Sequence, residues 1–110
     1  MANETKDRVI ASSGNVFADM GLRDAGELDT KARLGTAIQR IVEQRGLTQA
    51  QVAEVLAINQ PKVSALLNYK LEGFSVERLM RFLVALGHDV EIVVRSKPRT
   101  REARIAVSAV

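Results

Sequence analysis

Residues 47–70 read LTQAQVAEVLAINQPKVSALLNYK, and their pattern decides the fold. Thr48 is a good helix N-cap, and Gln51 three residues later completes a capping box. Leu47 before the cap and Val52 after it have the spacing of a hydrophobic staple. This first helix is expected to run to Leu56. Ala57-Ile58-Asn59 then makes a three-residue turn, with Asn59 or Gln60 capping a second helix. Pro61 falls in the first turn of that helix, where its missing N–H costs nothing.

Two helices joined so tightly must cross steeply, so a small residue belongs where they touch, and Ala53 supplies it. Val52, Leu56, Ile58, Val63 and Leu66 have the spacing to plug the angle between them. At about 100° per residue, Leu66 and Leu67 lie within about 60° of Val63. The opposite side carries Pro61, Ala65 and Asn68, flanked by Lys62, Ser64 and Tyr69. The second helix contains no acid, which is what a surface facing phosphate requires. An amphipathic hairpin buried in a helical bundle would need neither the small crossing residue nor the acid-free outer face.

These residues define a candidate DNA surface. Thr48 and Gln49 open the leading helix, where backbone N–H groups, the helix dipole and the Gln49 amide can meet a phosphate. Gln60 suits paired hydrogen bonds to adenine in the major groove, while Pro61 and Ala65 suit contact with thymine methyls. Lys62 can neutralise a phosphate or read guanine. Asn59 lies at the mouth of the same helix, and Ser64, Asn68, Tyr69 and Lys70 are better placed for the DNA backbone.

Outward from this stretch, residues 1–15 are polar and end in Ser12-Ser13-Gly14-Asn15, so a mobile arm is expected. Val16, Phe17 and Met20 suit one helical turn. Ala25, Leu28, Ala32, Ala37, Ile38, Ile41 and Val42 form a broken helical stripe after Asp24, weakened by Gly26 and Gly35 and stopped by Gly46. Beyond the loop Glu72-Gly73-Phe74, Ser75 caps a helix that buries Val76, Leu79, Met80, Leu83 and Leu86 and ends at Gly87. Residues 16–87 are thus a helical domain containing the motif at 48–70.

The period then changes from 3.6 to 2. In residues 88–95 Val90, Ile92 and Val94 alternate on one face of a strand. One strand cannot satisfy its own backbone, so it must pair with the N-terminal arm or with a second copy of the chain. Residues 96–110 open with Lys97, Pro98, Arg99, Arg101 and Arg104 and are expected to be a basic, disordered tail; solvation or phosphate contact would each account for its charge.

Charge is uneven along the chain. Residues 1–30 hold six acids against three bases, a net −3, while residues 31–110 hold thirteen bases against seven acids, a net +6. An acidic head on a basic body points to partners of opposite charge. Without cysteine there is no disulfide, thiolate metal site or cysteine nucleophile. His88 is the single histidine and has no other ligands around it in sequence, so neither a metal site nor a serine–histidine arrangement is expected. No glycine-rich phosphate loop is present. A non-enzyme with no cofactor is therefore expected. No apolar run is long enough to span a membrane and no leader-like segment opens the sequence, so a cytoplasmic location is expected.

Thr48-Gln49 opening a helix, Ala53, and the spacing of Ile58, Val63 and Leu66 resemble the Xre family of lambda-repressor-like domains over roughly residues 30–86. SSGNVFADMGL at 12–22, QPKVSALL at 60–67 and FSVERLMRFLVALGHDVEIVV at 74–94 are similar to HigA-type antitoxins of RelE-like toxin systems. The sequence departs from the family at Ala57, where glycine is usual, and at Leu67, where many members have glutamate. The resemblance implies a mainly α, five-helix lambda-repressor-like domain whose C-terminal strand pairs across a homodimer through Val90, Ile92 and Val94. It further implies a repressor of its own promoter, an inverted-repeat operator in double-stranded DNA, and a basic toxin facing residues 1–30. Two other readings remain open: a stand-alone regulator without a toxin, and a protein-interaction module with weak DNA binding.

Overall fold

The computed structural model describes residues 22–109. Within them lie four helices: α1 (Leu22–Arg45), α2 (Gln49–Leu56), α3 (Gln60–Leu67) and α4 (Val76–Ala85). The expected fifth helix, the turn at Val16, Phe17 and Met20, falls outside the described residues, as do the arm 1–15 and most of the acidic head. Helix α1 packs chiefly on α4 and α2 on α3, with smaller contacts of α1 to α3 and α2 to α4.

Helix α1 is continuous from before Asp24 to Arg45, across both Gly26 and Gly35. Its buried face differs from the expected stripe in the first half. Thr30, Lys31, Leu34, Ile38, Ile41 and Val42 are buried, while Leu28 is 55% exposed and Ala32 faces out. Residues 31, 34, 38, 41 and 42 follow the helical period closely; Leu28 lies at the edge of the same stripe, one turn before Lys31. Lys31 is accommodated because its long stem can lie along apolar surface while its ammonium meets Glu27 Oε2 at 3.3 Å.

The core forms where α1 meets the other helices: Leu34, Ile38, Ile41, Val42, Val52, Leu56, Val63, Leu66, Leu79, Phe82, Leu83 and Leu86, joined by Leu71 and Phe74 from the loop before α4. Helix α4 buries Leu79 and Leu83 as expected and Phe82 besides, Leu86 is buried at its end, and Val76 and Met80, expected in the core, sit only at its edge. Phe74 and Phe82 meet edge to face, centroids 5.8 Å apart, and the Arg78 guanidinium lies 5.6 Å from each ring centre.

All four helices close in the same way. After each, one residue turns into the left-handed region and the next N–H reaches back five residues to a carbonyl. These bonds are Leu47 N to Val42 O at 3.1 Å, Ile58 N to Ala53 O at 3.1 Å, Lys70 N to Ala65 O at 2.8 Å and His88 N to Leu83 O at 3.0 Å. The left-handed residues are Gly46, Ala57, Tyr69 and Gly87, with φ of +63°, +58°, +60° and +86°. Glycine adopts this conformation without strain; alanine and tyrosine do so at a cost of about 1–2 kcal/mol each. Both strained residues bound the short helices α2 and α3.

The C-terminal segment differs from expectation. Residues 88–95 form no regular element, and no strand occurs among the described residues. Val90 is half-buried against the core, whereas Ile92 is 73% and Val94 89% exposed. The tail expected to be disordered forms no regular element; it turns at residues 99–101, and Val107 comes back, half-buried, onto the core. The apolar residues beyond the basic stretch explain the return: Val107 gains burial that a purely charged tail would lack. Among the described residues, no helix is long and apolar enough to cross a membrane.

Candidate nucleic-acid interface

The two central helices are built as their caps require. The Thr48 side-chain oxygen accepts from Gln51 N at 3.1 Å, and Gln51 Oε1 accepts from Thr48 N at 2.8 Å, closing the capping box. Asn59, rather than Gln60, caps α3, its Oδ1 accepting from Lys62 N at 2.9 Å. Gln60 is thereby the first residue of α3, with Pro61 beside it. Ala53 is half-buried against the core on α2, and Val63 and Leu66 are buried beneath α3.

The candidate surface residues divide into two groups. Four of them hold the frame. Thr48 and Asn59 spend their oxygens on the caps. Asn68 donates from Nδ2 to the Ser64 carbonyl at 2.8 Å and lies 3.4 Å from the Ser64 hydroxyl, so it secures the end of α3. Tyr69 reaches across to α1, where its hydroxyl lies 3.1 Å from Thr36 Oγ1. The remaining residues are free to make contacts. Gln49, Gln60, Pro61, Lys62 and Lys70 are exposed, and Ser64 and Ala65 are half-buried.

Asn59, Pro61, Lys62, Ala65 and Lys70 come together along one side of α3, where with Glu72, Gly73 and Phe74 they line an open groove of about 460 Å³. Thr48, Gln49, Gln60, Ser64, Asn68 and Tyr69 are not part of its lining. The groove sets two lysines beside apolar carbons of Pro61, Ala65 and Phe74, chemistry that suits a phosphate strand carrying a base methyl. Helix α3 itself has no acid in its first turn or beyond, so nothing on it repels phosphate.

Three residues of this region escape a reading of the sequence. Thr36 and Gly35 on α1 receive Tyr69: a Cβ at Gly35 would meet Leu71 Cδ1 at 3.4 Å and the Tyr69 ring at 3.6 Å. Glu72 brings one carboxylate to the rim of the groove near Lys70. The contacts of Gly35 and Thr36 cross more than thirty positions, and no local spacing announces them.

Residues 16–95 match a family model described as a helix-turn-helix domain. A solved structure titled as an XRE family transcriptional regulator is 60% identical, superposes with a TM-score of 0.76, and matches 79% of this chain and 99% of its own. The chain belongs to the XRE family of helix-turn-helix proteins. No curated protein matches it. In this XRE-family chain α2 and α3 are short helices joined by three residues, the arrangement that a helix-turn-helix requires. The expectation of a lambda-repressor-like helical domain holds at that level. The matched span also takes in the segment to Arg95.

Proposed function

We propose that this protein is a sequence-specific transcriptional repressor that inserts α3 into the major groove of its operator. The observation that carries this reading is the composition of α3: eight residues, capped by Asn59, with no acid and with Gln60, Pro61 and Lys62 exposed at its start. Residues at the N-terminal end of a reading helix are those that reach base edges. Gln60 would pair with adenine, Pro61 and Ala65 would meet thymine methyls, and Lys62 and Lys70 would neutralise phosphates on either side of the groove.

The protein acts as a homodimer. Ile92 and Val94 are exposed on a segment that makes no ladder among the described residues, and a second copy of that segment would supply both the missing hydrogen bonds and the apolar cover. A two-fold dimer requires an inverted repeat whose half-sites lie about one helical turn apart or a multiple of it. We further propose that the repressor controls its own promoter and is the antitoxin of a RelE-like toxin. The net −3 of residues 1–30 supports this, because it complements a basic partner.

The test is a gel shift with the DNA upstream of the protein's own gene. Gln60→Ala should weaken binding to this DNA more than to random DNA, and Lys62→Ala should weaken both. If neither substitution changes binding, α3 is not the reading helix. Co-purification with the product of the adjacent gene, repeated after removing residues 1–30, tests the antitoxin role. A stand-alone regulator is the second reading, favoured by the solved relative, which is titled as a regulator alone and is covered almost entirely. Operator binding without toxin capture would establish it.

A further inference from the structure

The segment beyond α4 is tethered at both ends. Val90 and Val107 lie half-buried on the core, and the chain between them runs out, bends at residues 99–101 and returns. Between these two feet stand Arg95, Lys97, Arg99, Arg101 and Arg104 against Glu91 and Glu102, every one of them exposed. From Arg95 to Arg104 the count is five cations to one carboxylate. The two side-chain hydrogen bonds found here go to backbone carbonyls: Arg101 Nη1 to Glu102 O at 3.0 Å and Lys97 Nζ to Pro98 O at 3.5 Å. Among the described residues they leave the positive charge of the loop uncancelled.

We propose that residues 95–104 are a phosphate clamp, a second DNA contact that grips the duplex backbone independently of sequence while α3 reads the bases. The inference rests on the DNA-binding reading above. Three features carry it. First, a solvated charge run needs no anchoring, yet this one is held by an apolar residue at each end, which limits the entropy lost when it binds. Second, four of the five cations are arginine, whose planar fork meets phosphate oxygens in pairs where a lysine offers a point charge. Third, the reach is adequate. From Val90 to the bend is nine residues at no more than about 3.3–3.6 Å each, or roughly 30 Å, comparable with one turn of the duplex. Pro98 fixes the backbone immediately before the bend, so the tip is partly set before DNA arrives.

Counterion release gives the test a quantitative form. The full-length protein and its Arg99→Ala/Arg101→Ala/Arg104→Ala variant are titrated by fluorescence anisotropy against two duplexes between 50 and 200 mM salt, a range over which such contacts weaken about 10³–10⁵-fold when six to ten are made. One duplex carries the DNA upstream of the gene; the other has random sequence. The clamp predicts that the variant loses the same factor on both duplexes, so their ratio is unchanged. It also predicts that the slope of log K against log salt becomes shallower by about 0.9 for each contact removed, up to about 2.7. An Arg→Lys triple variant should restore most of the slope and only part of the affinity. A wild-type slope in the alanine variant, or a changed ratio between duplexes at constant slope, overturns the clamp. Failure of the wild-type chain to bind either duplex overturns the DNA-binding reading and the clamp together, whereas wild-type binding with an unaltered variant overturns the clamp alone. All three side chains are exposed, and an unchanged circular dichroism spectrum confirms that the variant is folded.

Discussion

The hydroxyl of Tyr69 donates to Thr36 Oγ1, 3.1 Å away, and so ties the end of α3 to the middle of α1. The direction follows from the proton count. Thr36 spends its one hydroxyl proton on the Ala32 carbonyl at 3.0 Å, which can only accept, so Thr36 is the acceptor towards Tyr69. The tyrosine ring lies over Gly35, and its backbone holds the left-handed conformation that closes α3. One residue thereby sets where α3 stops and how its end sits on the body.

Tyr69→Phe should therefore lower stability by about 0.5–1 kcal/mol, the low end for a hydrogen bond because the site is partly exposed. Thr36→Val should cost a similar amount, and the double variant no more than the larger of the two. Urea denaturation of the four proteins measures the coupling; fully additive losses would show that the two hydroxyls act independently.

Ala57→Gly should stabilise the protein. Relief of the left-handed strain at φ +58° is worth about 1–2 kcal/mol, and the added freedom of glycine in the unfolded chain takes back about 0.5–1. A net gain of roughly 0.5–1 kcal/mol raises the melting temperature by several degrees in a domain of this size. Tyr69→Gly, at the same φ, should destabilise instead, because it also removes the ring and the hydroxyl. Calorimetry of both variants separates backbone strain from packing.

The two glycines of α1 should respond in opposite ways to larger side chains. A Cβ at Gly26 meets nothing within 4 Å, so Gly26→Ala should gain about 0.5–1 kcal/mol from helix propensity. Gly35→Leu must push into Leu71 and Tyr69, and overpacking of this kind costs about 1–3 kcal/mol. Thermal unfolding followed by circular dichroism checks both.

If the proposed dimer forms, Ile92→Lys should leave each monomer folded and abolish it, because Ile92 is 73% exposed within the chain and would be buried only by a second copy. Light scattering decides the matter, and a variant that stays dimeric places the interface elsewhere. Operator affinity should fall with it, since one α3 then binds without its mate.

Local chemistry carried most of the central region. The capping box at Thr48 and Gln51, the cap at Asn59, the turn 57–59 and the buried Val63 and Leu66 all follow from spacing within a few residues, and the helices formed there. Long-range contacts were not legible. Gly35 reads as a weakness in a helix, and only the arrival of Tyr69 from thirty-four positions away shows it as a seat. Leu28 reads as core by its character and shares the register of Lys31, Ile38 and Val42, yet it is 55% exposed while Leu34 is buried, so periodicity alone did not decide which residue is covered. The half-buried Val107 was not legible either, because nothing in the charged run before it announces a contact with the core. Among the surface candidates, residue type could not separate Asn68 and Tyr69, which brace α3, from Gln60 and Lys62, which do not.

The brevity of α3 carries a consequence of scale. Eight residues at about 1.5 Å each make a rod of roughly 12 Å, which lies against no more than about four base pairs. A word of four letters recurs about once in every few hundred base pairs of random DNA, so a lone copy would be spread over thousands of equivalent addresses in a genome. Two copies held in register would read a word of about eight letters, some hundreds of times rarer. On this count the information in the operator is set less by the chemistry of any one side chain than by whether Ile92 and Val94 find their counterparts.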